Sequence, residues 1–202
     1  MNKINYQIIL DKELEDIGKS GEVPVLLLHS CCAPCSSYVL EYLSEHFRII
    51  LLYYNPNIMP ANEYYHRLSE QKRLLTLINA RHGIELAESR YAEQEFLEAV
   101  KGLENEPEGG ARCEKCFRLR LTEAAKAAKE YGADYFATTL TVSPHKNAQK
   151  INEIGLEIEA EYGVKYLLSD FKKKNGYKRS IELAGQYGLY RQDYCGCVFS
   201  MR

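Results

Sequence analysis

The chain of 202 residues has no tryptophan and almost no net charge: 26 Lys and Arg stand against 28 Asp and Glu, a formal balance of −2. Near-neutrality excludes recognition of a polyanion by bulk charge, so a nucleic-acid partner needs a local basic patch. Long apolar runs are missing too. The longest are about half a dozen residues, against the roughly 20 that span a bilayer, so no membrane partner is expected. The opening stretch MNKINYQIILDKELED has no apolar segment followed by small residues of the kind that directs secretion. The expected location is the cytoplasm, where structural disulfides are disfavoured and clustered cysteines serve as metal ligands or redox groups. Repeats and low-complexity segments are also absent. Hydrophobic residues at 46% and charged residues at 27% are ordinary for one soluble globular domain.

Stretches Val23–His29, Arg48–Tyr54, Ile84–Tyr91, Asp134–Thr139 and Val164–Asp170 read as strands. The first two are almost continuously apolar, as in strands buried on both faces. Helical patterns run over Pro34–His46, Asn62–His82, Glu93–Leu103, Cys113–Tyr131, His145–Tyr162 and Tyr177–Tyr187. The alternation predicts an α/β fold, a parallel sheet with helices on both faces. ENEPEGG, ending at Gly110, is the one stretch expected to be a flexible loop. Ligands of such sheets bind at the carboxyl ends of the strands. SCCAPCSS, YNPN and TLTVSPHKN fall at those ends of the first, second and fourth predicted strands, so three unusual loops should face one crevice.

Glycine is missing from the first of these loops. In nucleotide-binding sheets, glycines there let backbone N–H groups approach phosphates. An ATP-dependent enzyme of this architecture is therefore the second reading rather than the first. Ser36 and Ser37 could meet an anion at the helix start, although serines there ordinarily cap the helix.

Cysteine is where the chain is unusual. Its seven cysteines fall into three groups: Cys31-Cys32-x-x-Cys35, Cys113-x-x-Cys116 and Cys195-x-Cys197. Buried cysteines that merely fill a core are scattered. C-x-x-C at a helix start directs two thiolates at one centre, because three residues make nearly one turn, and the helix N-terminus favours the thiolate. Zinc held by Cys32, Cys35, Cys113 and Cys116 is one solution, and would make the protein a zinc-stabilised binding module. Adjacent cysteines suit a single tetrahedral ion poorly. An iron–sulfur cluster takes them more readily, since each iron accepts one thiolate. Cys195 and Cys197 around Gly196 could close only a small, strained and labile disulfide, so they read as a redox dithiol, as further ligands, or as two buried thiols.

HSCCAPCS, YYNPNIMPANEYYHR, RCEKCFRLRL, TTLTVSPHKN and YRQDYCGCVFS, in this order, resemble the motifs of the epoxyqueuosine reductases of the QueH type. The resemblance runs from about Val23 to the C-terminus. It leaves 1–22 as an N-terminal extension and 23–202 as a single α/β iron–sulfur reductase domain. It implies a three-layer Rossmann-like fold of the adenine nucleotide alpha hydrolase kind, with metal ligands in place of the phosphate loop. It implies a [4Fe–4S] cluster held by Cys31, Cys32, Cys113 and Cys116, a redox-active pair in Cys195 and Cys197, and reduction of epoxyqueuosine to queuosine at the tRNA wobble position. The family varies at the position of Cys35.

Removing an epoxide oxygen takes two electrons and two protons. An additional mononuclear iron, ligated with help from Cys35, would polarise the C–O bond. Asp193, Tyr190 and Tyr194 are candidate proton donors by their nearness in sequence to the redox pair. The partners expected are tRNA carrying epoxyqueuosine and an electron donor of unidentified type. For tRNA, Lys172, Lys173 and Lys174 open a run of five cations in KKKNGYKR. His145, Lys146 and Asn147 are expected to begin a helix where a phosphate or the modified base could dock. Arg112, Lys115, Arg118 and Arg120 flank the second cysteine pair, with Arg118 and Arg120 on different helix faces. Tyr53 and Tyr54 are placed to stack on an unstacked base.

Overall fold

The computed structural model describes residues 4–88 and 90–201. Its five strands are β1 (Val25–His29), β2 (Arg48–Leu52), β3 (Ile84–Leu86), β4 (Tyr135–Thr138) and β5 (Lys165–Tyr166). All four neighbouring pairs are parallel, in the order β3-β2-β1-β4-β5. Seven α-helices occur among the described residues: α1 (Tyr6–Ser20), α2 (Ala33–Leu43), α3 (Ala61–Leu77), α4 (Glu93–Ala99), α5 (Ala111–Glu130), α6 (Ala148–Tyr162) and α7 (Gly176–Gln186).

Side chains alternate across the pleat, so an apolar strand feeds two cores. Leu26, Leu28, Ile49 and Leu51 pack on one side with Leu10 and Leu14 of α1, Val39 and Leu40 of α2 and Ala184 of α7. Leu27, Ile50 and Leu52 pack on the other with Leu121 and Ala125 of α5 and Ile151 and Ile154 of α6. The result is a three-layer Rossmann-like α/β fold. From β1 the chain winds through β2 to the β3 edge, and β4 and β5 extend the other side. The loops after β1 and β4 therefore part company at a switch point, which opens a crevice at their carboxyl ends.

Several elements depart from the sequence pattern for visible reasons. The fifth strand, expected over Val164–Asp170, pairs at only two residues. Beyond it the Asn152 side chain takes over the backbone of Ser169, accepting from its N–H at 3.0 Å and donating to its carbonyl at 2.8 Å. The third strand, an edge expected over Ile84–Tyr91, ends at Leu86. The last helix before β5 begins at Ala148 rather than His145, because the Asn147 side chain accepts from Lys150 N–H as its cap. ENEPEGG, read as flexible, is tied down: the buried Arg112 guanidinium donates to the carbonyls of Leu103, Glu104 and Glu106. The stretch 1–22 supplies α1, whose Leu10, Leu14 and Ile17 are buried in the sheet's first core.

Candidate functional site

The loop after β1 enters α2 through Cys32, which is the extended residue before the helix, and Pro34 occupies the first turn, where no N–H partner is needed. That sharp entry brings Cys31, Cys32 and Cys35 together, their sulfurs all within 4.8 Å of one another. The Cys31 and Cys32 sulfurs are 3.9 Å apart. Ser30, Ser36 and Ser37 are buried: Ser36 reaches the Cys32 carbonyl at 2.9 Å, Ser37 the Pro34 carbonyl at 2.8 Å, and Ser30 donates across to Gln71 of α3 at 2.7 Å. Across the switch point, the Thr139 hydroxyl accepts from Cys31 N–H at 3.1 Å and donates to its sulfur at 3.3 Å. Donation from the Cys32 and Cys35 thiols holds Cys31 well below the ordinary thiol range, helped by the charges of Lys146 and Arg120. Cys32, left with its proton beside that thiolate, is pushed up to about 11.

Cys113 and Cys116 lie in the first two turns of α5, opened by Gly110. Gly109 N–H donates to the Cys113 sulfur at 3.2 Å. One turn on, the buried Arg120 reaches three groups: it lies 4.0 Å from the Cys116 sulfur, donates to the Asn55 side-chain oxygen, and donates from Nε to His29 Nε2 at 3.2 Å. His29 Nδ1 meets the Thr138 hydroxyl at 2.8 Å. Burial, with Arg120's charge second, lowers His29 to about 3, so it stays neutral and fixes the guanidinium.

The Cys195–Cys197 turn closes the other wall. Met59 N–H donates to the Gly196 carbonyl at 3.0 Å, and the Asn57 amide donates to the Cys195 carbonyl at 3.3 Å. Gly196 has φ +97, and a Cβ there would stand 2.8 Å from Ile58 and 3.2 Å from Arg67, so only glycine fits. All seven cysteines are unpaired thiols. A hydrogen bond from Cys197, followed by the opposing cost of burial, leads the balance that lowers Cys195 to about 5, while Cys197 itself is raised.

Cys113, Cys116, Cys195 and Cys197 line one cleft together with Arg120, His145, Lys146 and Asn147. Lys146 lies within electrostatic reach of Cys31, Cys35 and Cys195. Burial opposes its charge, but those sulfurs outweigh it and hold its pKa above the ordinary lysine value. Thus the structure gathers Cys31, Cys32 and Cys35 into one close group, with Cys113 and Cys116 outside that group on a cleft wall. Three sulfur donors without a carboxylate, set among Lys146, Arg120 and Thr139, suit a thiophilic metal ion.

Other residues singled out by sequence fall elsewhere. Tyr190 is exposed, its hydroxyl 3.2 Å from Glu63 and its ring against His66, and Asp193 is exposed; neither lines the cleft. Tyr194 lies over the Arg67 guanidinium. Lys172 and Lys174 pair with Asp170 and Asp11, both at 2.7 Å, away from the cleft lining, and Lys173 is exposed beside them. Arg118 pairs with Glu157 on the outer face of α5, and Lys115 is exposed there. Tyr53 and Tyr54 are buried rather than available for stacking, and the Tyr54 hydroxyl donates to Glu95. Two residues were missed. Thr139 lay inside the quoted TTLTVSPHKN, but nothing local distinguishes it from its threonine neighbours. Arg67 ends YYNPNIMPANEYYHR and reads as one more surface cation of an amphipathic helix, yet it is buried.

With this geometry in view, comparison with known proteins is specific. The profile of the family described as Epoxyqueuosine reductase QueH matches residues 26–202. The Epoxyqueuosine reductase QueH of Staphylococcus epidermidis is 48% identical over 202 residues, covering 98% of this chain and 85% of that protein. The protein of the same name from Streptococcus pyogenes serotype M1 is 45% identical, covering 99% of this chain and 79% of its own length. Its counterpart from Thermotoga maritima is 36% identical over 184 residues, covering 87% and 90%. The match spans the cysteine loop, the α5 pair and the terminal cysteine turn together, and the chain belongs to the epoxyqueuosine reductase QueH family.

Proposed function

We propose that this chain reduces epoxyqueuosine to queuosine at the wobble position of tRNA, the last step of queuosine formation. One observation carries the reading. The close group of Cys31, Cys32 and Cys35 sits at the switch point of the sheet, beside a cleft walled by Cys113, Cys116, Cys195 and Cys197, in a member of this family. The cofactor we assign is a [4Fe–4S] cluster on Cys31, Cys32, Cys113 and Cys116, with Cys35 contributing to an additional mononuclear iron. When bound, such a centre supplies single electrons and a Lewis acid for an epoxide oxygen.

The chain's own residues account for the rest. Closing a disulfide between the Cys195 thiolate and the Cys197 thiol releases two electrons and one proton, and Lys146, held in its charged form, gives up a second proton. Converting the epoxide to an alkene and water consumes two electrons and two protons. An external electron donor then reopens the disulfide. Asp193 and Tyr190 lie off the cleft, so Lys146 and the dithiol are the proton carriers assigned here. Lys146, Arg120 and the α6 entry at His145 and Asn147 make the cleft mouth attractive to the tRNA backbone. A protein acting on tRNA belongs in the cytoplasm. The ATP-dependent alternative loses ground because cysteines occupy the loop after β1 that would cradle phosphates.

Anaerobic purification tests the reading. The protein should be brown, contain about five iron to four sulfide, and convert epoxyqueuosine in tRNA when given a reductant. A colourless zinc protein, or a brown one inert on that tRNA, would overturn it.

A further inference from the structure

Besides Gln71 Nε2, whose Oε1 takes the Ser30 hydroxyl, two buried hydrogen-bond donors near the cysteine loop have nothing to donate to. One is the Tyr53 hydroxyl, at the end of β2, and the other is the Nη2 group of Arg67 on α3. Both residues are closed to solvent, Tyr53 at 0% and Arg67 at 2% exposure. Buried polar groups are nearly always paired, so each orphan asks for an acceptor. Arg67 carries donors only, and its Nε has a partner in Glu63 at 2.7 Å. Its Nη1 lies 3.2 Å from where a Gly196 Cβ would stand, and its face covers Tyr194. The Leu52 carbonyl accepts from Ser30 N–H at 2.8 Å, so Tyr53 leaves β2 beside the loop that carries Cys31 and Cys32. Cys32 is the sulfur within electrostatic reach of both Arg67 and Tyr53, and Cys31 also reaches Tyr53.

Resting on the function proposed above, we infer that Tyr53 and Arg67 are positioning residues that donate hydrogen bonds to the sulfur side of the centre held at the cysteine group, and so favour its reduced state. The argument is electrostatic. Each electron added to such a centre places more negative charge on sulfur, and donors aimed there stabilise the reduced form more than the oxidised one. Arg67 has a second consequence. It lies within electrostatic reach of Cys32 and against the Gly196 turn, so one guanidinium biases the centre and braces the dithiol.

The test uses wild type, Tyr53→Phe, Arg67→Lys and Arg67→Met, prepared anaerobically with iron and sulfide. Two quantities are read: the midpoint potential of the loaded protein and the melting temperature of the metal-free protein. Tyr53→Phe should lower the potential, changing the oxidised-to-reduced ratio at fixed poise by threefold or more, about 30 mV for a one-electron couple. Arg67→Met should lower it further, with Arg67→Lys between, since it keeps the charge and loses the fork. Metal-free Tyr53→Phe should melt no lower than wild type, because the hydroxyl it removes has no partner there. An unchanged potential overturns the inference. So does a lower metal-free melting temperature with an unchanged potential, which would mean that the hydroxyl holds a buried water instead. Wild type that takes up no iron and sulfide overturns the proposed function and carries this inference down with it, which separates the two failures.

Discussion

At the scale of single residues, function here depends on which proton sits on which sulfur. Cys195 and Cys197 differ by one glycine in position and in opposite directions in acidity, because one thiol donates to the other. The consequence can be measured without metal. With its pKa near 5, Cys195 is fully thiolate above about pH 6, so its alkylation rate should be flat from pH 6 to 8 and fall as pH drops through 5. Replacing Cys197 by Ala removes the donor, and the Cys195 profile should then move toward that of an ordinary thiol, slow at pH 6. Mass spectrometry of pulse-alkylated protein across pH reads both outcomes. Gly196, at φ +97, is the residue that makes so tight a turn possible.

At the scale of elements, the tail bearing that turn is clipped to α3. Arg73 pairs with Glu70 at 2.8 Å and donates to the carbonyls of Tyr187 and Gly188, where α7 ends. Glu70 in turn accepts from the Tyr190 N–H at 2.8 Å. The hydrogen bonds from Arg73 lead in lowering Glu70 from 4.5 to about 2. A carboxylate lowered on folding adds stability that is complete above its unfolded pKa and is lost as pH falls through the folded one. Glu70→Gln should therefore cost about 1–2 kcal/mol at pH 7 by urea unfolding. The gap to wild type should close between pH 4.5 and pH 2, the range set by the two pKa values. Hydrogen exchange at residues following Tyr187 should quicken in the same variant.

At the scale of the whole molecule, α1 belongs to the core although the family profile begins at residue 26. Leu10 is fully buried, so Leu10→Ala should cost about 2–4 kcal/mol in thermal or urea unfolding while leaving metal content unchanged. On the proposed function, the same helix bears on the lysine run as a tRNA contact. Asp11 pairs with Lys174, and Asp170 with Lys172, so two of the three successive lysines already have carboxylate partners. Changing Lys172, Lys173 and Lys174 together to Gln should thus reduce the salt dependence of tRNA binding by about one unit rather than the nearly three expected of three unpaired phosphate contacts. Lys146→Gln, at the cleft, should weaken productive binding more than the triple variant does. Titration of tRNA at several salt concentrations distinguishes them.

The sequence alone determined the layers and the chemistry. Almost unbroken apolar runs such as VLLL and IILL can only be buried on both faces, so a parallel sheet between helices followed from pattern. C-x-x-C at a helix start, doubled cysteines at a strand end and a loop without glycine marked a candidate site, because residues three apart on a helix share a face whatever the rest of the chain does. Tertiary structure decided what depends on a partner far along the chain. It set Cys113 and Cys116 on a cleft wall, outside the close group of Cys31, Cys32 and Cys35. It shortened β5, because Asn152 claimed the backbone of Ser169. It paired Lys174 with Asp11 and buried Tyr53 and Arg67. Spacing along a chain sets which way a side chain points from its own element; only the packing of one element on another sets what it meets there.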